Sequence, residues 1–497
     1  MRSDTKPITS HLTSRRSALV WFRDDLRLGD NPTLTAALTS GLPVTALYIF
    51  DDATPGPRAL GAASRWWLAQ SLKSLAADCT KIGLPFAVRR GSAKTMVAEA
   101  AEEAGAEAAF WSRRYSADLS NIDAAVEEEL SAKGVRVESF NASLLREPWE
   151  VKAKTGGPLK VFSPYWRAAN TMGEPAAPLP RPKKADVIAG PTLGGVEIEA
   201  LGLEPTTPDW AGSLREVWTP GETGAVEAVE RFLEEGLKGY AENRDRPDME
   251  ATSRMSPRLR FGEVSPRQLW HAVERAKEEG MATSRDVEKF RTELGWREFS
   301  YHLLHHFPDL STRNFQERFD AFPWSPPKPE HRRAWRKGLT GYPIVDAGMR
   351  QLWTTGWLHN RVRMIVASFL IKDLLIDWRD GEDWFWDTLV DADHANNAAS
   401  WQWVAGSGAD AAPYFRVFNP TLQGQKFDPN GDYVRAFVPE LSKLPAKWIH
   451  MPWEAPGEVM RAAGVTLGKT YPEPIVDHYV ARDRALAAFA KLKAASA

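Results

Sequence analysis

Across 497 residues the chain holds a single cysteine, Cys79. That scarcity excludes a disulfide framework, a multi-thiolate zinc site and a four-cysteine iron–sulfur cluster, and it makes a reducing cytoplasm the expected compartment. An excess of either charge is also missing, because 63 basic and 65 acidic residues leave a formal net charge of −2. A globally basic nucleic-acid binder is thereby excluded, whereas a local basic patch that engages phosphates is not. No apolar run reaches membrane-spanning length, and residues 1–16 are polar, without the apolar core of a signal peptide, so they read as a disordered extension. The GxSxG, Walker A and HExxH patterns do not occur, which leaves hydrolase and NTPase chemistry without residues to carry it. What the chain has in excess is tryptophan: 21 in all, ten of them from Trp296 to Trp403.

A hydrophobic fraction of 43% with 26% charged residues describes sizeable cores, and this length predicts two or three domains. Short β-branched or aromatic runs at 18–23, 43–50, 84–89, 107–112 and 135–140 alternate with Ala/Leu/Glu-rich stretches, which predicts an α/β domain over residues 17–147. Its expected form is a five-stranded parallel, Rossmann-like sheet. The first strand ends in Arg23-Asp24-Asp25-Leu26-Arg27-Leu28-Gly29-Asp30-Asn31-Pro32 and not in GxGxxG, so a dinucleotide site there is not expected. Residues 148–222 lose clear periodicity and are rich in Pro, Gly and Thr, which reads as an interdomain connection wrapped on the surface. Residues 223–497 carry helix after helix, with starts marked by Ser256-Pro257 and Ser265-Pro266, each read as an N-cap followed by proline.

Four polar constellations stand out in the helical half. Residues 391–403 read as one short helix in which Asn397 and Trp401 share a face while Trp403, about 200° round, looks elsewhere. Asp391 and Asp393 fall at its entrance, where carboxylates suit the dipole and can cap free N–H groups; a capped core helix with two buried indoles remains an equal reading. Thr252-Ser253-Arg254-Met255-Ser256 precedes a helix and could hold a phosphate, with Tyr240 packing nearby, or could be a plain polar loop. Glu293, Trp296 and Arg297 project together, as an acid beside an aromatic wall that suits a base-like heterocycle, or as a surface ion pair beside a core indole. Asn360 and Met364 share a face on the next constellation, where Arg361 and Arg363 offer phosphate contacts or a partner for a buried carboxylate such as Asp391. His302, His305 and His306 have no complementary ligands elsewhere and read as helix surface or satisfied core.

Taken in order, Val20–Arg27, Thr252–Ser256, Glu293-Leu-Gly-Trp296-Arg297-Glu-Phe299, Gly341-Tyr342-Pro343, Gly356–Met364, Asp377-Trp378-Arg379 and Asp391–Trp403 resemble the photolyase/cryptochrome family. The resemblance implies an N-terminal antenna domain and a helical domain holding FAD. Tyr240, Thr252, Ser253, Arg254, Met255, Ser256, Glu293, Arg297, Asn360, Arg363, Asp391 and Asp393 would surround the flavin, with Asn397 facing its N5. Trp401, Trp378 and Trp324 would carry electrons from the surface to it. Asn360 and Met364 match the cyclobutane-dimer enzymes of class I or class III, the histidines of the (6-4) enzymes are missing, and Trp403 fits an enzyme of duplex DNA.

The same resemblance implies a function. UV-damaged DNA would present a flipped-out lesion between Trp296 and Trp403, with Glu293 and Asn360 bonding the two thymine edges and Arg244, Arg361, Arg416 and Lys426 as DNA contacts. The antenna is expected to be a folate, methenyltetrahydrofolate, with Glu150 and Tyr48 as candidate contacts; a deazaflavin or no antenna are the alternatives, since Trp111–Tyr115 does not reproduce the Asn-Glu motif of some folate binders. A monomer without membrane association is expected. A cryptochrome-type photoreceptor is the second reading, and a dark flavoprotein oxidoreductase, for which no nicotinamide site is seen, the third.

Overall fold

The computed structural model describes residues 16–326, 328–411 and 415–495; apart from Arg16, the expected N-terminal extension lies outside them. Five strands, β1 (Ser17–Phe22), β2 (Val44–Phe50), β3 (Phe86–Arg90), β4 (Ala106–Ser112) and β5 (Arg136–Phe140), form one sheet in the order β3-β2-β1-β4-β5. All pairings are parallel, and the strand limits lie within two residues of those read from the sequence. Because β1 is central and covered on both faces, it is a continuous apolar run and not an alternating one. Ala18, Val20 and Phe22 pack with Trp66 and Trp67 of the helix Ala62–Ile82, while Leu19 and Trp21 face Val97 and Val126 on the other side.

The turn after β1 is an interdomain clamp. Arg27, fully buried, donates to the carbonyls of Gly262, Asp30 and Ala142. Glu222 accepts from the N–H groups of Leu28 and Gly29, Asp24 pairs with Arg260 at 2.7 Å, and Asp30 pairs with Arg267 at 2.8 Å. A charged turn that would otherwise be solvated is therefore largely consumed in holding the sheet to the helices, while its buried Arg23 and Asp25 are satisfied within the α/β half by Asp123 and Ser112.

The segment read as a surface connection needs correction. It contains the helix Phe162–Asn170, whose Phe162, Tyr165 and Ala169 are buried at i, i+3 and i+7. Three positions within nine residues are too short a signal to stand out among flanking prolines and glycines. This helix packs on Ser284–His306, where Gly295 leaves the room that Trp166 fills: a Cβ there would lie 2.5 Å from Trp166 Cε3. His302 is satisfied core, its Nδ1 at 2.9 Å from Pro148 O and its ring held neutral by burial, which lowers its pKa to about 4.

Glu298, on the same long helix, accepts from the N–H groups of Leu145 (2.8 Å) and Arg146 (3.1 Å) and so ties the end of the α/β half to the helical half. Burial raises its pKa to about 7 against the partial offset of Arg297 and the two N–H groups. A carboxyl raised on folding favours the folded state most below its unfolded pKa, and that contribution fades as pH climbs through the folded value. Between about pH 4.5 and 7 this group should therefore cost on the order of 3 kcal/mol. Glu298→Gln should flatten that part of the stability profile in denaturant titrations; an unchanged slope would assign it to other groups.

Ser265 caps Pro266–Glu278 as read, its hydroxyl accepting from Gln268 N while Gln268 Oε1 accepts from Ser265 N. Ser256 does not cap: Met255 occupies the cap position, Ser256 is the first residue of the helix Ser256–Arg260, and its hydroxyl accepts from Trp357 Nε1 at 3.2 Å. Among the described residues no helix is long and apolar enough to cross a membrane, and no group of His, Cys, Asp and Glu is placed to hold a metal ion.

Candidate active site

The helical half encloses a cavity of about 520 Å³. Four chain segments distant in sequence supply most of its walls: residues 240–259, the helix Ser284–His306, the helix Asn360–Ser368, and residues 391–410 with the helix Asn396–Ala405. Of the residues singled out in the sequence, Tyr240, Arg244, Ser253, Met255, Ser256, Glu293, Trp296 and Arg297 line it. So do Asn360, Arg361, Arg363, Met364, Asp391, Asp393, Asn397, Trp401 and Trp403. Thr252 and Arg254 do not; Arg254, in a left-handed conformation (φ 51°), pairs with Glu250 and lies over the Trp357 ring.

The stretch 391–403 is not one helix, and this corrects the sequence reading. Helix begins only at Asn396, because Asp393 turns the chain by accepting from the N–H groups of Ala395 (2.8 Å) and Asn396 (2.6 Å). Asp391 plays no capping part. Its Oδ2 pairs with Arg363 at 2.7 Å, and its Oδ1, buried, has no partner among the described residues. Asn397 and Trp401 do share a face, one turn apart and both on the cavity. Asn397 donates to Glu382 Oε1 at 2.7 Å, and Glu382, its pKa raised by burial against the opposing charge of Arg58, is paired at 2.8 Å with that arginine from the α/β half. Trp401 packs edge-on to Phe385 at 5.0 Å, and Gly381 makes room for it: a Cβ at Gly381 would sit 2.1 Å from Trp401 Cη2.

Trp296 is braced from behind. Phe162 stacks on it at 3.8 Å between ring centroids with 8° between planes, leaving the indole as a stiff wall. Glu293 is held between Arg244 (2.9 Å) and Lys289 (3.0 Å), and Arg361 pairs with Asp245 at 2.7 Å while its guanidinium lies 4.4 Å over Phe427. Arg244 and Arg361 thus stand in the cavity wall with acid partners; Arg416 and Lys426 are exposed, each over its neighbouring phenylalanine. Arg297 touches the cavity, yet its guanidinium turns to Ser143 O at 2.7 Å and to the Tyr301 ring.

Trp378 is fully buried, donating to Asn314 Oδ1 at 2.9 Å, and belongs to the apolar cluster that contains Trp401; Trp324, half-buried against Phe322, adjoins it. Tyr48 is buried in β2, and Glu150 is exposed and accepts from Glu147 N. Neither belongs to the large cavity. Sequence reasoning passed over Phe162, Asp245, His359 and Glu382. For His359 a signal existed, since it stands inside the Gly356–Met364 motif; for the others the partner is set only by long-range packing.

Among the described residues, buried polar atoms of three cavity-lining side chains have no protein partner, Asp391 Oδ1 and the Nε atoms of Arg244 and Arg361; off the lining, His359 Nε2 and Arg254 Nε have none either. Burial, with Arg244 nearby, lowers the His359 pKa to about 4, so that the ring is neutral. Acceptors and donors left open beside indole, Leu and Met walls suit a large ligand that carries both a heterocycle and polar groups.

Residues 18–183 match the family model described as DNA photolyase, and residues 290–491 match that of the FAD binding domain of DNA photolyase. Over 477 residues the chain is 51% identical to a deoxyribodipyrimidine photo-lyase of Agrobacterium fabrum, spanning 96% of this chain and 98% of that one. It is 39% identical to Cryptochrome-1 of Arabidopsis thaliana, over 96% of this chain and 71% of the relative. Among solved structures, a bacterial class III photolyase from Agrobacterium tumefaciens superposes with a TM-score of 0.92 at 50% identity, covering 98% of this chain and all (100%) of that one. The shared domains, running in the same order along nearly the whole chain, place this protein in the DNA photolyase and cryptochrome family.

Proposed function

We infer that this chain is a light-driven deoxyribodipyrimidine photolyase that splits cyclobutane pyrimidine dimers in DNA, of the class III type that its likeness to the Agrobacterium tumefaciens enzyme supports. The observation that carries the reading is the convergence of Trp296, Trp403, Glu293, Asn360 and Met364 on the same cavity as Asp391, Asn397 and Trp401. FAD, when bound, supplies the photochemical electron. The open acceptor of Asp391 fits such a ligand, and Ser253, Ser256, Arg363 and Asn397 complete the cradle we assign to it, Asn397 with its amide oriented by Glu382.

For the lesion, the braced face of Trp296 offers a rigid stacking surface and Trp403 closes the opposite side. Glu293, fixed between two cations, presents its carboxylate to thymine imide N–H groups; Asn360 offers its amide to the second base; Met364 fills the apolar gap between them. Trp401, Trp378 and Trp324 form the electron relay we assign, and Arg416 and Lys426 the outer phosphate contacts. A folate antenna remains our reading, as do residence in a reducing compartment, which the single buried thiol Cys79 suits, and a monomeric state. Folate release on denaturation, with loss of a near-ultraviolet band, tests the antenna.

The deciding experiment is blue-light illumination of an oligonucleotide carrying one thymine dimer, with a dark control. Light-dependent restoration of the two thymines is expected; a chain that holds FAD yet restores none would act as a photoreceptor. Glu293→Ala should lower the repair rate by roughly tenfold with FAD retained, the loss expected for one charge-assisted hydrogen bond. Unchanged repair would remove Glu293 from the lesion site.

A further inference from the structure

The cavity mouth carries its two arginines in an unusual state for groups that meet DNA: both are already committed to carboxylates. Asp245 Oδ2 holds Arg361 Nη2 at 2.7 Å, and its Oδ1 lies 3.8 Å from Arg244 Nη1. It stands two residues after the short helix Tyr240–Asn243, just past Arg244, so the backbone delivers this carboxylate between two cations whose own positions are 117 residues apart in sequence. The arginine side chains, which line the cavity, are 13% and 19% exposed, and Asp245 beside them is 33% exposed. Burial alone would raise the Asp245 pKa, but the hydrogen bond and charge of Arg361, with Arg244 behind it, bring it below the ordinary aspartate value, so it is ionised at neutral pH.

Resting on the DNA-repair reading above, we propose that Asp245 is a specificity-determining positioning residue: it aims Arg244 and Arg361 into the cavity mouth and disfavours any phosphate not set there by a flipped-out lesion. Two physical effects combine. The charge-assisted bond fixes Arg361 over Phe427 and leaves Arg244 on Glu293, so neither cation is free to swing outward to a passing backbone. The same negative charge repels phosphates that approach the mouth without the compensating stacking of a flipped-out lesion against Trp296 and Trp403. Undamaged duplex offers phosphates alone and meets only the repulsion. Damaged DNA offers the lesion as well and uses the aimed arginines.

Asp245→Asn keeps the volume and one acceptor and removes the charge. In binding titrations with the FAD-loaded protein, undamaged duplex should bind several-fold tighter, with the slope of log affinity against log salt steeper by about 0.9, the value for one further phosphate neutralised. Duplex with one cyclobutane thymine dimer should gain less or lose affinity, so the damaged-to-undamaged ratio falls. An equal gain for both duplexes would overturn the proposal, as it would make Asp245 a simple charge brake; an equal loss would overturn it too, as it would make Asp245 a scaffold. In an Arg361→Gln background the substitution should no longer change the ratio, and a thermal melt within error of the parent guards against misfolding. Failure of the underlying reading is seen separately, since the unmutated protein would then show no preference for damaged DNA.

Discussion

Arg363→Ala should strip the protein of flavin and destabilise it by about 3–5 kcal/mol, the cost of leaving a buried charge without its partner. The Asp391 side chain is 1% exposed, and among the described residues its ion pair is the 2.7 Å contact to Arg363. Arg363 Nε also donates to Leu358 O at 2.7 Å, so the substitution opens a carbonyl as well. Against a typical total stability of about 5–15 kcal/mol, this is a large fraction. The measurement is a denaturant titration together with the flavin-to-protein ratio after purification. Adding Asp391→Asn should restore part of the lost stability, because it removes the orphaned charge, without restoring full flavin content, because the acceptor facing the cavity is changed. A single Arg363→Ala variant that keeps its flavin and its midpoint would show that the ion pair does not organise the site.

Trp401→Phe should abolish light-driven reduction of oxidised FAD while leaving repair by chemically pre-reduced protein largely intact. The indole lines the cavity on the same face as Asn397 and leads into the apolar cluster that holds Trp378, whereas a phenyl ring has no comparably accessible electron to give. Phenylalanine fits the space with Phe385 on one side and Gly381 below, so the structural cost should stay near the range for a modest loss of core volume, about 1–2 kcal/mol. Transient absorption after a blue flash reads the first effect and the dimer-splitting assay reads the second. Loss of both together would mean that the cavity had collapsed, and loss of neither would place the electron path elsewhere.

The strands were legible because each is a short apolar run closed by turn residues, and their parallel pairing followed from the helices between them. The cavity residues were legible as faces of helices: Glu293 with Trp296 and Arg297, and Asn360 with Met364, meet on one wall because residues three and four apart share a side. Two errors have the same origin. Residues 391–403 read as a single helix because periodicity does not reveal that Asp393 spends both oxygens turning the chain at Asn396. Ser256 read as a cap because Ser-Pro is a good cap pattern, but the helix starts one residue earlier in register and the hydroxyl goes to Trp357.

By itself the sequence determined the order of the elements, the two-part architecture, and which side chains would share a helical face, since all of these follow from local periodicity and local steric preference. Only the tertiary structure decided how charges are paired: Arg363 with Asp391, Arg361 with Asp245, Arg58 with Glu382 and so with Asn397. It alone put Phe162 behind Trp296 and Arg27 among three carbonyls of both halves. The physical reason is that a buried ion must find whatever partner the packing brings within about 4 Å, and packing joins segments that lie far apart along the chain.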